Sequence, residues 1–177
     1  MIGVLVSGEG TNLQALLDAG LPVRAVASSR PGVRALARAE AAGVPALAFP
    51  LDEFEDRKLR DTTMANWLQE QGVRLVVCAG YMQLLTPSFL DRFPARVVNV
   101  HPSLLPEFPG ARAIDDALEA GVETTGVTVH LVDQGLDTGD VIVQETVPVE
   151  PRETLAERIH AVEHRLLPKV VGELCAR

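Results

Sequence analysis

Val4-Leu5-Val6-Ser7-Gly8-Glu9-Gly10-Thr11-Asn12 passes from an apolar run, through a glycine-rich turn, into residues of helical spacing. A strand over Val4–Ser7 followed directly by a helix over Thr11–Ala19 is the opening of a β–α–β unit, and the same alternation repeats outward. Val23–Ser28 reads as a second strand, Val33–Ala42 as an Ala/Arg-rich helix ending at Gly43, and Ala46–Phe49 as a short third strand. Asp52–Gln71 reads as a long amphipathic helix stopped by Gly72. Val73–Ala79 is apolar except for Arg74, as in a central strand covered on both faces. Val97–Val100 is a further strand, and Ala113–Ala120 a helix closed by Gly121. This pattern predicts an α/β fold: a Rossmann-like, open, mostly parallel sheet with helices on both faces.

The last third changes character. Gly126–Val132 and Val141–Val147 are β-branched runs around the polar, Gly-rich Asp133–Asp140, which predicts a C-terminal antiparallel portion built around a functional loop. Glu153–Leu174 reads as a closing helix, with Pro168 expected to kink or break it. The 177 residues suit a single domain over 1–177. With 47% hydrophobic residues, one Trp, one Tyr and five Phe, its core is mainly aliphatic. Lys+Arg total 16 against 24 Asp+Glu, and the net charge of −8 would repel a phosphate backbone, so nucleic acid is not an expected partner. No run is long and apolar enough to span a bilayer, no targeting signal is visible, and Cys78 and Cys175 sit in no metal or disulfide pattern; the expected compartment is cytoplasmic.

Chemistry concentrates in two places. Ser7-Gly8-Glu9-Gly10-Thr11-Asn12 joins a strand to a helix, where backbone N–H groups favour an anion. Position 13 is Leu, so the third glycine of a dinucleotide fingerprint is missing; no P-loop Lys follows, and the second strand ends Ser28-Ser29-Arg30 without an acid for a ribose. A phosphate monoester fits better than NAD; the alternative is a turn in which Thr11 or Asn12 only caps the helix. The second place is Val97-Val98-Asn99-Val100-His101-Pro102-Ser103-Leu104-Leu105-Pro106-Glu107-Phe108-Pro109-Gly110. Strand periodicity puts Asn99 and His101 on one face at the C-terminal end, and the prolines predict a stiff, extended loop after them. An amide donor beside an imidazole suits an oxyanion, and Asp137 in the later loop is a candidate proton carrier. The alternative is a loop-anchoring His and a strand-end Asn.

Gly8-x-Gly10-Thr11-Asn12, Asn99-Val100-His101-Pro102-Ser103-Leu104-Leu105-Pro106 and Leu136-Asp137-x-Gly139 together resemble the formyltransferases that use 10-formyltetrahydrofolate, most closely the phosphoribosylglycinamide formyltransferases of purine synthesis. The resemblance implies transfer of the formyl group to the amine of 5-phosphoribosylglycinamide (glycinamide ribonucleotide). It implies that Gly10, Thr11 and Asn12 hold the phosphate and Glu163 the substrate's amino end. It further implies Asn99 and His101 at the oxyanion, Asp137 as proton relay, and Thr128 and His130 as supports. Arg57, Tyr81, Met82, Gln83, Leu84, Leu85 and Asn99 would bind the folate, a co-substrate; no metal is implied, and the chain would be a monomer or homodimer. Formyltetrahydrofolate hydrolase, methionyl-tRNA formyltransferase and a catalytically inactive folate- or nucleotide-binding module are the alternatives. Glu9, Arg112, Asp140 and Leu167 depart from the family pattern, where Arg112 replaces a common histidine, Asp140 a proline and Leu167 a tyrosine. His160-Ala-Val-Glu163-His164 also matches a zinc-protease pattern, though two histidines on the surface of the closing helix are the simpler expectation.

Overall fold

A computed structural model describes residues 1–176. The chain runs β1 (Ile2–Val6), α1 (Thr11–Asp18), β2 (Val23–Ser28), α2 (Arg34–Ala41), β3 (Ala46–Ala48), α3 (Arg57–Glu70), β4 (Leu75–Cys78), α4 (Pro87–Leu90), β5 (Val97–His101), α5 (Ala113–Ala120), β6 (Thr124–Leu131), β7 (Val141–Pro148) and α6 (Leu155–Ala176). Among the described residues seven strands form one sheet in the order β3-β2-β1-β4-β5-β6-β7. The first five are parallel, while β6 runs antiparallel to β5, and β7 antiparallel to β6. The expected α/β sheet with an antiparallel C-terminal part is therefore what forms. No helix among the described residues is long and apolar enough to cross a membrane.

Strand alternation divides the core in two. Ile2, Val4 and Val6 of β1, Leu75 and Val77 of β4, Val98 and Val100 of β5, and Val127 and Val129 of β6 face the apolar sides of α1, α2 and α6. Leu5, Val76, Cys78 and Val97 point the other way, against Met64, Ala65 and Leu68 of α3 and Phe89 of α4. Helices thus cover both faces, and the polar residues of β5, in step with Val97, belong to the α3/α4 side.

Three expectations need correction. The helix predicted over 52–71 is interrupted: Leu51–Glu53 makes a 3-10 turn, Phe54 is extended, and α3 begins only after Asp56, whose carboxylate accepts the Leu59 N–H at 2.7 Å. The capping residue, not the amphipathic pattern, sets the start. Pro168 does not break α6, which runs continuously to Ala176. An interior proline costs about 3 kcal/mol. Buried Leu166, Leu167, Val170 and Val171 flank it, and burying each such side chain contributes about 1.5–3 kcal/mol, so the packing prevails. The loop after β5 is not extended: Glu107 N–H returns to Leu104 O at 3.0 Å, and Phe108 lies at φ 51, in the left-handed region. The short α4 escaped the sequence patterns altogether.

Asp56→Ala removes the only side-chain cap of α3 and is expected to lower stability by about 1 kcal/mol, read as a lower urea midpoint at unchanged slope.

Candidate active site

The antiparallel register of β5 and β6 pairs Asn99 with His130 and His101 with Thr128. Because Val98, Val100, Val127 and Val129 all take the opposite face, these four polar side chains form one patch at the C-terminal end of β5. Asn99 Nδ2 lies 3.1 Å from His130 Nε2, and His130 Nδ1 lies 2.8 Å from Leu131 O. The carbonyl requires an N–H at Nδ1 in either charge state; with Nε2 bare the ring accepts from Asn99, and with Nε2 protonated it turns that N–H toward Asp137. His101 is fixed by a parallel argument: its Nε2 donates to Phe108 O at 2.8 Å, leaving Nδ1 toward Asp137 Oδ2 at 3.4 Å. Thr128 Oγ1 donates to Ser103 O at 2.7 Å and accepts from Leu105 N–H at 3.1 Å, which anchors the loop carrying Phe108.

Asp137 closes the cluster from the β6–β7 loop. Its Oδ1 accepts from Asn99 Nδ2 at 3.4 Å and stands 3.6 Å from His130 Nε2; its Oδ2 accepts the Gly110 N–H at 2.8 Å. Burial pushes this carboxyl up, but the His130 contact, the Gly110 N–H and the charges of His101 and His130 outweigh it, and Asp137 is held below the ordinary carboxylate value. The residue sits at φ 55, a left-handed conformation that Asp tolerates better than most side chains. The loop that holds it there is tightly built. Asp133 Oδ1 accepts from Gly135 N–H at 2.9 Å and Thr138 Oγ1 at 2.7 Å, and a Cβ on Gly139 would lie 1.9 Å from Leu131 O.

This cluster borders a cavity of about 210 Å³ walled by Tyr81, Met82, Gln83, Leu84, Leu85 and Leu136. Met82 and Leu136 are 59% and 52% exposed, an apolar rim that a flat ring system would cover. Gln83 Oε1 is buried without a partner among the described residues, an acceptor left for a ligand. Cys78 also lines the cavity, but burial, with Asp137 adding to it, pushes its thiol up to about 12, so it stays protonated and is no nucleophile. Arg57 lies apart: it is exposed on the first turn of α3, outside the walls of this cavity, though its charge is felt at the Tyr81 hydroxyl.

A second cavity, of about 500 Å³, adjoins the first and shares Gly80, Met82, Val100, Pro102 and Ala111 with it. Its floor is the β1–α1 loop. Gly10 at φ 72 is the N-cap of α1 and supplies no side-chain cap, and the first N–H bonded back to the loop is that of Gln14, on Gly10 O at 2.9 Å. The N–H groups of Thr11, Asn12 and Leu13 thus remain as an anion-binding terminus, and neither Thr11 nor Asn12 caps it. Gly10 is required sterically too, since a Cβ would lie 2.6 Å from that of Ala35. Glu9, exposed at the edge of this cavity, pairs with Arg34 at 3.4 Å. Asn12 Nδ2 donates to buried Glu163 Oε2 at 3.2 Å, which brings α6 to the same cavity. Arg112, on the far wall, is exposed and engaged by Glu119 at 2.7 Å and Asp115 at 3.8 Å.

The geometry thus gathers Asn99, His101, Asp137, Thr128 and His130 into one cluster, Tyr81 to Leu85 along one wall, and Gly10, Thr11, Asn12 and Glu163 around the neighbouring cavity. Sequence patterns missed Gly110 and Phe108, which act through backbone atoms; the Pro109-Gly110 dipeptide was their one signal. They also missed His160, which lines the second cavity rather than a metal site. Among the described residues no group of three or more His, Cys, Asp or Glu side chains is placed to hold a metal ion.

Residues 1–171 match the formyl transferase family. The chain is 35% identical to the phosphoribosylglycinamide formyltransferase of Bacillus subtilis, over 97% of this chain and 92% of that protein. It is 42% identical to the trifunctional purine biosynthetic protein adenosine-3 of Drosophila melanogaster, covering 98% of this chain but only 14% of that protein. The crystal structure of phosphoribosylglycinamide formyltransferase from Bacillus halodurans superposes with a TM-score of 0.95 at 37% identity, over 99% of this chain and 95% of that one. Glycinamide ribonucleotide transformylase 1 from Symbiobacterium toebii gives a TM-score of 0.92 at 46% identity, over 95% and 84% of the two chains. A match that begins just before β1 and ends within α6 takes in every element of the two cavities, and the chain belongs to the formyl transferase family.

Proposed function

We propose that this protein transfers the formyl group of 10-formyltetrahydrofolate to the amine of glycinamide ribonucleotide. The observation that carries the proposal is the Asp137-centred cluster at the junction of two cavities, one floored by a helix terminus suited to phosphate and one walled by apolar side chains suited to a pterin. Relatives named phosphoribosylglycinamide formyltransferase, matched over nearly their whole length, support it. The phosphate rests on Gly10, Thr11 and Asn12, Glu163 engages the substrate close by, and the folate occupies the Tyr81–Leu85 wall with its formyl carbon toward Asn99.

The chemistry needs positioning, charge stabilisation and one proton relay. The glycyl amine forms a bond to the formyl carbon, and the carbonyl pair moves onto oxygen. Asn99 exchanges its long 3.4 Å contact with Asp137 for that oxygen, and His101, its Nε2 tied to Phe108 O, turns its Nδ1 edge beside it. Asp137, held as a carboxylate, takes the amine proton through water and returns it to folate N10 as the carbon–nitrogen bond to N10 breaks.

Folate absorbance should change with turnover only when glycinamide ribonucleotide is present; loss of formyl-folate without it would instead identify a hydrolase. Asp137→Asn is expected to lower kcat by at least about 10²-fold with little change in either KM, since Asn also tolerates the left-handed backbone. Near-normal turnover would remove Asp137 from the relay. Asn12→Ala is expected to raise the KM for the ribonucleotide about tenfold while leaving that for the folate near its original value, measured by varying each substrate against saturating partner.

A further inference from the structure

Between Cys78 at the end of β4 and Pro87 at the start of α4, the chain lays down one wall of the first cavity. It leaves the sheet at Ala79, whose N–H still reaches Leu5 O at 2.9 Å, and turns at Gly80, φ 74. From Gly80 to Leu85 no backbone N–H or C=O pairs with other backbone among the described residues. Tyr81, Gln83 and Leu85 are more buried than Met82 and Leu84, the alternation of a strand, yet no strand of the sheet pairs with this segment. Tyr81 and Leu85 pack into the α3 side of the core, which sets the depth of the wall. Apolar packing is non-directional, so it does not fix the peptide between them. One hydrogen bond does: Met82 N–H donates to Ser7 Oγ at 2.9 Å. A second side chain takes over where the segment ends, with Asp61 Oδ2 accepting the Thr86 N–H at 2.7 Å.

Ser7 is held where this bond needs it. Continuing the alternation of β1 past Val6, it falls on the side of Leu5, where α3 and the wall lie. It is buried, and its Oγ lies 2.6 Å from the Oγ of Ser29, itself buried. Ser29 is anchored in turn by its N–H on Val6 O at 3.1 Å. Whichever hydroxyl donates within the pair, Ser7 keeps a lone pair for Met82. We infer that Ser7, although it opens the loop assigned to phosphate, is a positioning residue of the folate wall: its hydroxyl fixes the Met82 peptide, and folate binding, not ribonucleotide binding, registers its loss. This role rests on the assignment of the two cavities above and extends it. Met82 lines both cavities and Ser7 only the second, so the bond crosses from one to the other. Without it the N–H groups of Thr11, Asn12 and Leu13 stay in place, because Gly10 and the first turn of α1 hold them. The wall, by contrast, is left with packing alone, and a folate then has to order the peptide as it binds.

The test compares the wild type with Ser7→Ala and Ser29→Ala. Ser7→Ala is expected to raise the KM for 10-formyltetrahydrofolate about tenfold, with kcat and the KM for glycinamide ribonucleotide within about twofold of wild type. Ser29→Ala breaks the hydroxyl pair but keeps the acceptor for Met82, and is expected to shift the folate KM by less than about threefold. Amide hydrogen exchange without substrate supplies a measure independent of turnover. Protection at Met82 should fall to that of an unpaired neighbour such as Leu84 in Ser7→Ala alone, with the amides of β1 unchanged. An unchanged folate KM, an equal rise for both substrates or in both variants, or exchange at Met82 that does not respond to Ser7→Ala overturns the inference and leaves the two cavities as assigned. Loss of protection along β1 in Ser7→Ala also overturns it, since the hydroxyl then acts through the sheet. Absence of turnover by the wild type with both substrates overturns the assignment of the cavities together with the inference.

Discussion

Reversal of one strand governs this site. A wholly parallel sheet would continue past β5 with another crossover helix, and the strand beside β5 would then end, not start, near its C-terminal tip. Instead β6 runs back along β5, and register sets Asn99 against His130 and His101 against Thr128. Cross-strand partners on one face stand only about 4.5–5.5 Å apart at Cβ, so two strands deliver four functional side chains without any loop having to fold over them. A slip of β6 by one residue would turn Thr128 and His130 into the apolar layer beneath α6 and bring its valines to the cavity. The valines at 98, 100, 127 and 129, fixed in that layer, are what forbid the slip.

Return of the chain from β6 to β7 then brings the one charged group the strands cannot supply. A carboxylate on β6 itself would have to be buried in the sheet, at a desolvation cost that few hydrogen bonds offset. Carried on a loop, Asp137 reaches the cluster and meets two donors, Asn99 and Gly110, and two imidazoles, His101 and His130, as it arrives. Asp133 and the crowded Gly135 and Gly139 hold that loop to one shape, and Leu131 N–H closes its base on Asp140 O at 2.9 Å. That last bond uses a backbone oxygen, which explains why a side-chain departure at Asp140 leaves the loop closed.

Much of this was legible in the residues. Apolar alternation gave β2 and α5 to the residue, and period two placed Asn99 and His101 together because strands obey that rule regardless of tertiary context. The glycines of the first loop and of Leu136-Asp137-x-Gly139 marked the turns that matter. What stayed hidden depended on backbone atoms or on helix ends. Phe108 O and Gly110 N–H carry no side-chain signature, and the direction of Glu9 was decided by Arg34, a residue twenty-five positions away. The true start of α3 lay in one hydrogen bond from Asp56, which a hydropathy pattern does not register. His160 matched a metal pattern because its spacing on α6 was right, and only its carboxylate neighbour redirected it to the cavity.

The two cysteines, which no part of the chemistry employs, differ in a useful way. Cys78 is sealed beneath the site with its sulfur protonated, whereas Cys175 is exposed on the last turn of α6, and neither is in a disulfide. Alkylating reagents act on thiolate within their reach. A maleimide dye or spin label therefore attaches at one defined point, far along the helix from Glu163, and the folded protein accepts a reporter group without any engineered cysteine.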